Sequence, residues 1–228
     1  MEIFKVKSSL GSLGKECSEE APDLILNELG MEGKEIKINE DNVEETNENI
    51  YNVVKKIKKG ILIGGDHSIT YPSFKAFSEI YKDGCLVIFD AHVDCANNFK
   101  PATHEDFLRV ILEEKLIKDE DVYLIGVRKI YDVEKTFLEK RKINFVDNVN
   151  GIKSENIYLS LDIDVINTNE APGVIYRVKG GLSEVKLKTM LNKIKDRVKM
   201  MDLVEVVPKK DKDNKTVKLA ARLVGEML

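Results

Sequence analysis

The chain has 228 residues, of which 43% are hydrophobic and 33% charged, with a formal charge of -4. It is long enough to bury most of its apolar surface in one large domain spanning 1–228, and it offers neither a basic face for nucleic acid nor a polybasic strip for a membrane. No apolar stretch approaches the ~20 residues of a membrane helix, and Cys17, Cys85 and Cys95 lack the spacing of a disulfide frame or zinc knuckle, so a reducing cytoplasm is expected.

Met1 to Val6 reads as a first strand, without the layout of a signal peptide. Glu35 to Ile38 has strand character, and Asp41 with Glu44 three residues on predicts a capped helix carrying Val43, Ile50, Val54 and Ile57 on one face until Gly60. Ile61 to Ile63 is the next strand, followed by a helix over about Pro72 to Tyr81. Cys85 to Phe89 is apolar throughout, as a strand covered on both faces must be. Thr103 is expected to cap a helix to about Lys115. Val122 to Val127, Ile143 to Val146 and Ile157 to Leu161 read as strands. Ser183 is expected to cap a helix that buries Leu187, Met190, Leu191 and Ile194, and Met201 to Val207 to form the last strand. Val217, Ala220, Ala221 and Val224 mark the final helix. Such alternation predicts an α/β fold, a mostly parallel sheet with helices on both faces. Lys209 to Lys215 and Asn148 to Ser154 read as the mobile loops.

Three segments carry chemistry: Gly64-Gly65-Asp66-His67-Ser68, Asp90-Ala91-His92-Val93-Asp94 and Asp162-Ile163-Asp164. Each begins where a strand-like run ends, the place where open parallel sheets build their sites. Alternation along an extended segment would point Asp90, His92 and Asp94 one way, and Asp162 with Asp164 likewise. With His67 they form a set of carboxylates and imidazoles without thiolate, suited to a pair of manganese ions, or to iron, cobalt or zinc. Two ions on so few side chains require bridging carboxylates, and a pair so bridged lowers the pKa of a shared water, the expected nucleophile.

These motifs, with Ser160 ahead of Asp162, Ala171-Pro172-Gly173, Gly180 to Ser183, Asp202 to Pro208 and Ala220-Ala221-Arg222, resemble those of the ureohydrolases, the family of arginase and agmatinase. The resemblance implies a three-layer α/β/α sandwich and two Mn2+ per subunit. One ion would take His67, Asp90, Asp94 and Asp162, and the other His92, Asp90, Asp162 and Asp164. Asp94 would also orient the attacking water, His104 would shuttle a proton to the leaving amine, and Glu205 would pair with the substrate guanidinium. Asp66 reads as support for His67, and Cys95 as packing. Homo-oligomers, trimers or hexamers, are implied as well.

The chain departs from the family around the substrate. Glu105-Asp106-Phe107 follows His104 where Gly-x-Pro is usual, and Val174 to Lys179 replaces a small, threonine-rich loop. Ala96 stands where arginase-like members carry an asparagine; Asn97 and Asn98 are the candidates to substitute for it, though out of register. The leading expectation is agmatinase-like cleavage of agmatine to putrescine and urea. A second is a formimidoylglutamase, arginase or guanidino-acid hydrolase, with Arg177 reading an anionic tail. A third is a metal-binding relative whose catalysis has lapsed.

Overall fold

In the computed structural model, which describes residues 1–12 and 18–228 and so leaves Cys17 outside the described residues, strands and helices alternate along the chain. They are β1 (Glu2–Val6), α1 (Ala21–Leu29), β2 (Lys34–Glu35), α2 (Val43–Val54), β3 (Gly60–Gly64), α3 (Thr70–Ile80) and β4 (Cys85–Phe89). There follow α4 (Phe107–Glu113), β5 (Val122–Ile125), α5 (Asp132–Leu138), β6 (Asn144–Phe145), β7 (Ile157–Asp162), α6 (Glu184–Ile194), β8 (Val198–Val204) and α7 (Lys215–Met227). The strands form one sheet in the order β2-β1-β3-β8-β7-β4-β5-β6, with every pair parallel.

Period-two alternation explains the three layers. Ile61 and Ile63 face a core shared with α1, α6 and α7, whereas Leu62 between them faces one shared with α2, α3 and α4. Both faces of the central strands are thus covered by helices, which is why β3, β4 and β7 are buried at every residue. Arg222 on α7 forks onto Glu184 at 2.7 Å and 2.7 Å and ties α7 to the start of α6.

Several boundaries differ from the sequence expectation. Helix α1 was not anticipated; Pro22 in its first turn and Gly30 in a left-handed C-terminal cap bracket it. Helix α5 was also missed, because its seven residues present few apolar side chains to read. Asn42, not Asp41, caps α2, its side chain accepting from the Glu45 N–H at 3.0 Å. Thr103 does not cap α4: the Asp106 carboxylate turns back to accept from the Thr103 N–H and hydroxyl, which delays the helix to Phe107. Strand β8 begins and ends three residues early, at Val198 and Val204, so Glu205 lies beyond it. The charged stretch after Pro208 is organised by Asp211, which accepts from Thr216 N–H at 2.9 Å and Val217 N–H at 2.9 Å at the start of α7.

Strands β3 and β4, consecutive in sequence, are separated in the sheet by β8 and β7. The chain leaves β4 toward β5 but leaves the adjacent β7 toward β8, so the loops after these neighbouring strands run in opposite directions and part to open a crevice at their carboxyl ends. At the end of β3 the backbone runs so close to the N-terminal segment that a Cβ on Gly65 would lie 1.9 Å from the Ser8 carbonyl oxygen. Gly65 N–H donates to the Val6 carbonyl at 3.2 Å, and Asp66 N–H to that of Ser8 at 3.1 Å. Gly65→Ala is therefore expected to cost ~3 kcal/mol or more, read as a lower midpoint in urea denaturation; an unchanged midpoint would show that these backbones can part freely.

Candidate metal centre and cavity

His67, Asp90, Asp94 and Asp162 meet at the crevice although they leave different strand ends. His67 Nδ1 lies 3.0 Å from Asp94 Oδ2, 3.3 Å from Asp90 Oδ2 and 3.5 Å from Asp162 Oδ2. Beside them, His92 Nδ1 lies 2.9 Å from Asp164 Oδ2 and 3.6 Å from Asp90 Oδ1. Two sets can each offer ligand atoms within metal-binding reach of one another: His67, Asp90 and Asp162, and Asp90, His92 and Asp164. Asp90 is common to both.

The convergence does not arise from simple strand alternation. Chain after β4 is irregular, and Asp94 takes a left-handed backbone conformation, φ 55°, which swings its carboxylate toward His67. Beyond β7 a 3-10 turn over Ile163–Val165 replaces the expected extended run. The Asp162 carboxylate accepts from the Asp164 N–H at 2.7 Å, and Asp164 Oδ1 accepts from Ala91 N–H at 2.9 Å. Side-chain caps thus hold the acidic groups together. Glu205, at φ 64°, is likewise a non-glycine residue in a costly conformation, of a kind concentrated at functional sites.

Behind the donors lies a buried polar network that the sequence reading did not anticipate. His67 Nε2 is 2.8 Å from Ser160 Oγ, and the Ser160 hydroxyl donates to Asp202 Oδ1 at 2.7 Å. Thr70 and Tyr158 donate to the other Asp202 oxygen at 2.9 Å and 2.5 Å. With Nε2 directed at Ser160, the Nδ1 lone pair of His67 faces the carboxylates, the arrangement a metal-ligating imidazole requires. The available signal was a carboxylate at position 202 inside the apolar run from Met200 to Val204. Asp66 holds the turn as expected of a supporting residue, accepting from Gly11 N–H at 3.0 Å and Ser68 N–H at 2.8 Å.

A divalent ion fits this geometry on its own terms. His67 Nδ1 and Asp90 Oδ2 are buried and make no hydrogen bond, a costly state in a cluster that is otherwise well paired. A cation at the point they face would satisfy both and would offset the mutual repulsion of the carboxylates.

Metal-free, the cluster answers to protons. Burial, reinforced by the charge of Asp90, pushes Asp94 up to about 7. Burial with the charges of Asp164 and Asp90 drives Asp162 well above the usual carboxylate range, and burial with Asp90 raises Asp164. For Asp90, burial is outweighed by His67 and His92, which hold it below that range. Burial also opposes the imidazolium form of His92, yet Asp164 and Asp90 push it up to about 12; neighbouring carboxylates likewise raise His67 well above 6.5 despite burial.

A raised carboxylate stabilises the fold while protonated, and that contribution is lost as pH rises from the unfolded value of 3.8 through the folded one. The raised imidazoles act in the same sense above 6.5, whereas the lowered Asp90 acts below 3.8. Metal binding requires deprotonated ligands. The gap in melting temperature between manganese-loaded and chelator-treated protein is therefore expected to widen from about pH 5 to about pH 8. A constant gap would contradict this linkage.

Above the donors opens a cavity of about 350 Å³. Its described lining includes the carboxylates Asp94, Glu105, Glu134, Asp162, Asp164 and Glu205, and no lysine or arginine. His104 is buried, with Nδ1 3.4 Å from Glu205 Oε1, and that oxygen also accepts from the His67 N–H at 2.8 Å. Asn97 is in the wall. Arg177 is not: it is exposed, and its guanidinium donates to the Pro172 carbonyl of its own loop, which turns it away from the position an anion reader needs. Tyr176, from the loop already marked as a departure from the family, takes that place in the wall, with Tyr131 and Val133 from the start of α5; no motif in the sequence flagged the latter two. Glu134 was missed too. It holds the loop together, accepting from Cys95 N–H at 3.1 Å and Tyr131 N–H at 2.7 Å. Cys95 is a buried free thiol.

The sequence model of the arginase family matches residues 21–228. The agmatinase of Blochmanniella floridana is 32% identical over 189 residues, 78% of this chain and 62% of that protein. That of Halalkalibacterium halodurans is 30% identical over 185 residues, 75% and 63% of the two chains. The chain thus spans less than two thirds of the length of these relatives. Among solved structures, the arginase from Bacillus subtilis superposes with a TM-score of 0.86 at 25% identity, covering 100% of this chain and 97% of that one. The agmatine ureohydrolase of Thermoplasma volcanium gives 0.85 at 24% identity over 99% and 87%, a likeness of fold.

Proposed function

The chain belongs to the arginase family, and from that premise we propose that it is a manganese-dependent ureohydrolase of agmatinase-like type, releasing urea and an amine from a guanidino compound. The observation that carries this is the floor of the cavity, where His67 Nδ1 and Asp90 Oδ2 lie buried and unsatisfied among further acidic donors. His67, Asp90, Asp94 and Asp162 would hold one ion, and His92, Asp90, Asp162 and Asp164 the other. When bound, such a pair supplies Lewis acidity that lowers the pKa of water near neutrality. An oxygen-rich donor set with one imidazole per ion favours manganese.

The remaining work falls to this chain's own side chains. Glu205 pairs with the planar cation and draws its carbon toward the floor. Asp94 accepts a hydrogen bond from the water and so aims its lone pair at that carbon. Asp94 takes one proton from the water as the C–O bond forms; as the C–N bond then breaks, His104 delivers a proton to the departing nitrogen, the amine leaves neutral, and the hydroxyl proton released as the urea carbonyl forms restores His104. The His104 contact with Glu205 keeps the proton donor beside the reacting group.

Agmatine, yielding putrescine and urea, is the substrate favoured by the acidic lining, since anionic tails find no lysine or arginine among the described wall residues. That also weighs against the formimidoylglutamase, arginase and guanidino-acid alternatives. We further propose a cytoplasmic homo-oligomer. The buried thiols Cys85 and Cys95 suit a reducing compartment, and assembly as trimers or hexamers is drawn from family resemblance alone. Among the described residues no helix is long and apolar enough to cross a membrane.

The test is urea release by manganese-loaded protein from agmatine, arginine, 4-guanidinobutanoate and formiminoglutamate, with the loss of formiminoglutamate followed separately. Turnover of agmatine, lost in His104→Ala, is expected. Metal-replete protein inert toward the whole panel would instead mark a lapsed enzyme.

A further inference from the structure

Three large side chains at the mouth of the cavity are left open to solvent: Tyr131 at 47%, Val133 at 49% and Tyr176 at 41% exposure. Isolated apolar residues on a surface are ordinary, but these line one opening above an acidic floor. The Tyr176 ring lies with its centroid 5.8 Å from that of His104 and 6.3 Å from that of His92, so it stands over the floor between the two imidazoles. Its loop is pinned from below. Val174 is buried, Gly173 N–H donates to Thr216 Oγ1 at 2.7 Å, and Val207 N–H donates to the Gly173 carbonyl at 2.8 Å. The loop therefore presents Tyr176 from a fixed base.

We propose that Tyr131, Val133 and Tyr176 form a collar that grips the alkyl spacer behind a bound guanidinium, with Tyr176 the specificity-determining residue. This rests on the guanidinium reading of the cavity. The complementary molecule carries a planar cation at one end, for Glu205 and the acidic floor, and a run of methylenes behind it at collar height. Apolar and aromatic side chains at this height suit the spacer, since they cover hydrocarbon while the cation is held by the acidic floor below. A carboxylate directly behind the guanidinium would meet apolar side chains with no basic partner among the described lining residues.

The test uses n-alkylguanidinium ions from methyl to hexyl, with Kd on the manganese-loaded protein measured by ligand-observed NMR. Wild type is expected to bind about threefold more tightly for each methylene added between methyl and butyl. In Tyr176→Thr that gradient should flatten while methylguanidinium affinity shifts less than about twofold, and Tyr176→Phe should retain the gradient. The Tyr176 side chain is surface-exposed, and retained methylguanidinium binding shows that the variants are folded. Equal Kd values across the series in wild type, or an unchanged gradient in Tyr176→Thr, would overturn the proposal while leaving the guanidinium cavity standing. Failure of every guanidinium ion to bind would overturn the guanidinium cavity itself, and the collar with it.

Discussion

Asp90→Asn is expected to lower urea release by about 10³-fold or more and to leave the protein with less than its full complement of manganese. Asp90 is 1% exposed and belongs to both potential ligand sets. One oxygen lies 3.3 Å from His67 Nδ1 and the other 3.6 Å from His92 Nδ1. Asparagine keeps the shape, and its carbonyl oxygen can still accept from the His92 N–H, as Asp90 Oδ1 does at 2.6 Å. What it removes is the charge and the second anionic oxygen, so the one residue common to both sets would no longer neutralise an ion held by either. Metal analysis after dialysis, run beside the urea assay, separates this from an effect on turnover alone. A variant with undiminished metal content and undiminished turnover would mean that the two sets are not joined through Asp90.

Glu205→Gln is expected to reduce kcat/KM for agmatine about 10²-fold without loss of metal. Glutamine can still accept the His67 N–H, which the Glu205 carboxylate holds at 2.8 Å, so the turn carrying His67 stays in place. It cannot supply the charge that a guanidinium requires. Glu205→Ala should add a structural defect, because a buried N–H left without its acceptor costs ~1–3 kcal/mol. The pair of variants therefore separates recognition from positioning. Binding of methylguanidinium should weaken in both, whereas the melting temperature should fall in the alanine variant and hold in the glutamine variant. Undiminished kcat/KM in Glu205→Gln would place the recognition of the cation elsewhere.

Much of the site was legible because charge is expensive at the end of a buried strand. After Cys85 to Phe89, every residue of which is buried, the run Asp90-Ala91-His92-Val93-Asp94 stands out. The same contrast marks His67 after β3 and Asp162 with Asp164 at the end of β7. Asp202 carried that signal too, but it lies within its strand, and its partners Ser160, Thr70 and Tyr158 come together only across the sheet. The wall of the cavity was less legible. Arg177 and Tyr176 are neighbours in sequence, yet a single loop turn gives one to the Pro172 carbonyl and the other to the cavity. Glu134 belongs to a helix too short to show a periodicity, so its burial came without warning.

Alternating apolar runs and amphipathic stretches were by themselves enough to determine a parallel α/β layering, and the residue types at three strand ends to point to a set of groups able to hold divalent cations. Both are local consequences of what water excludes and what a buried carboxylate requires. The order of the strands, which sets β8 and β7 between β3 and β4, was decided only by tertiary structure. So were the left-handed turns at Asp94 and Glu205, the network behind His67, and the aromatic mouth. Each depends on chain segments far apart in sequence meeting at one sheet edge, and packing, rather than any one residue's preference, selects that meeting.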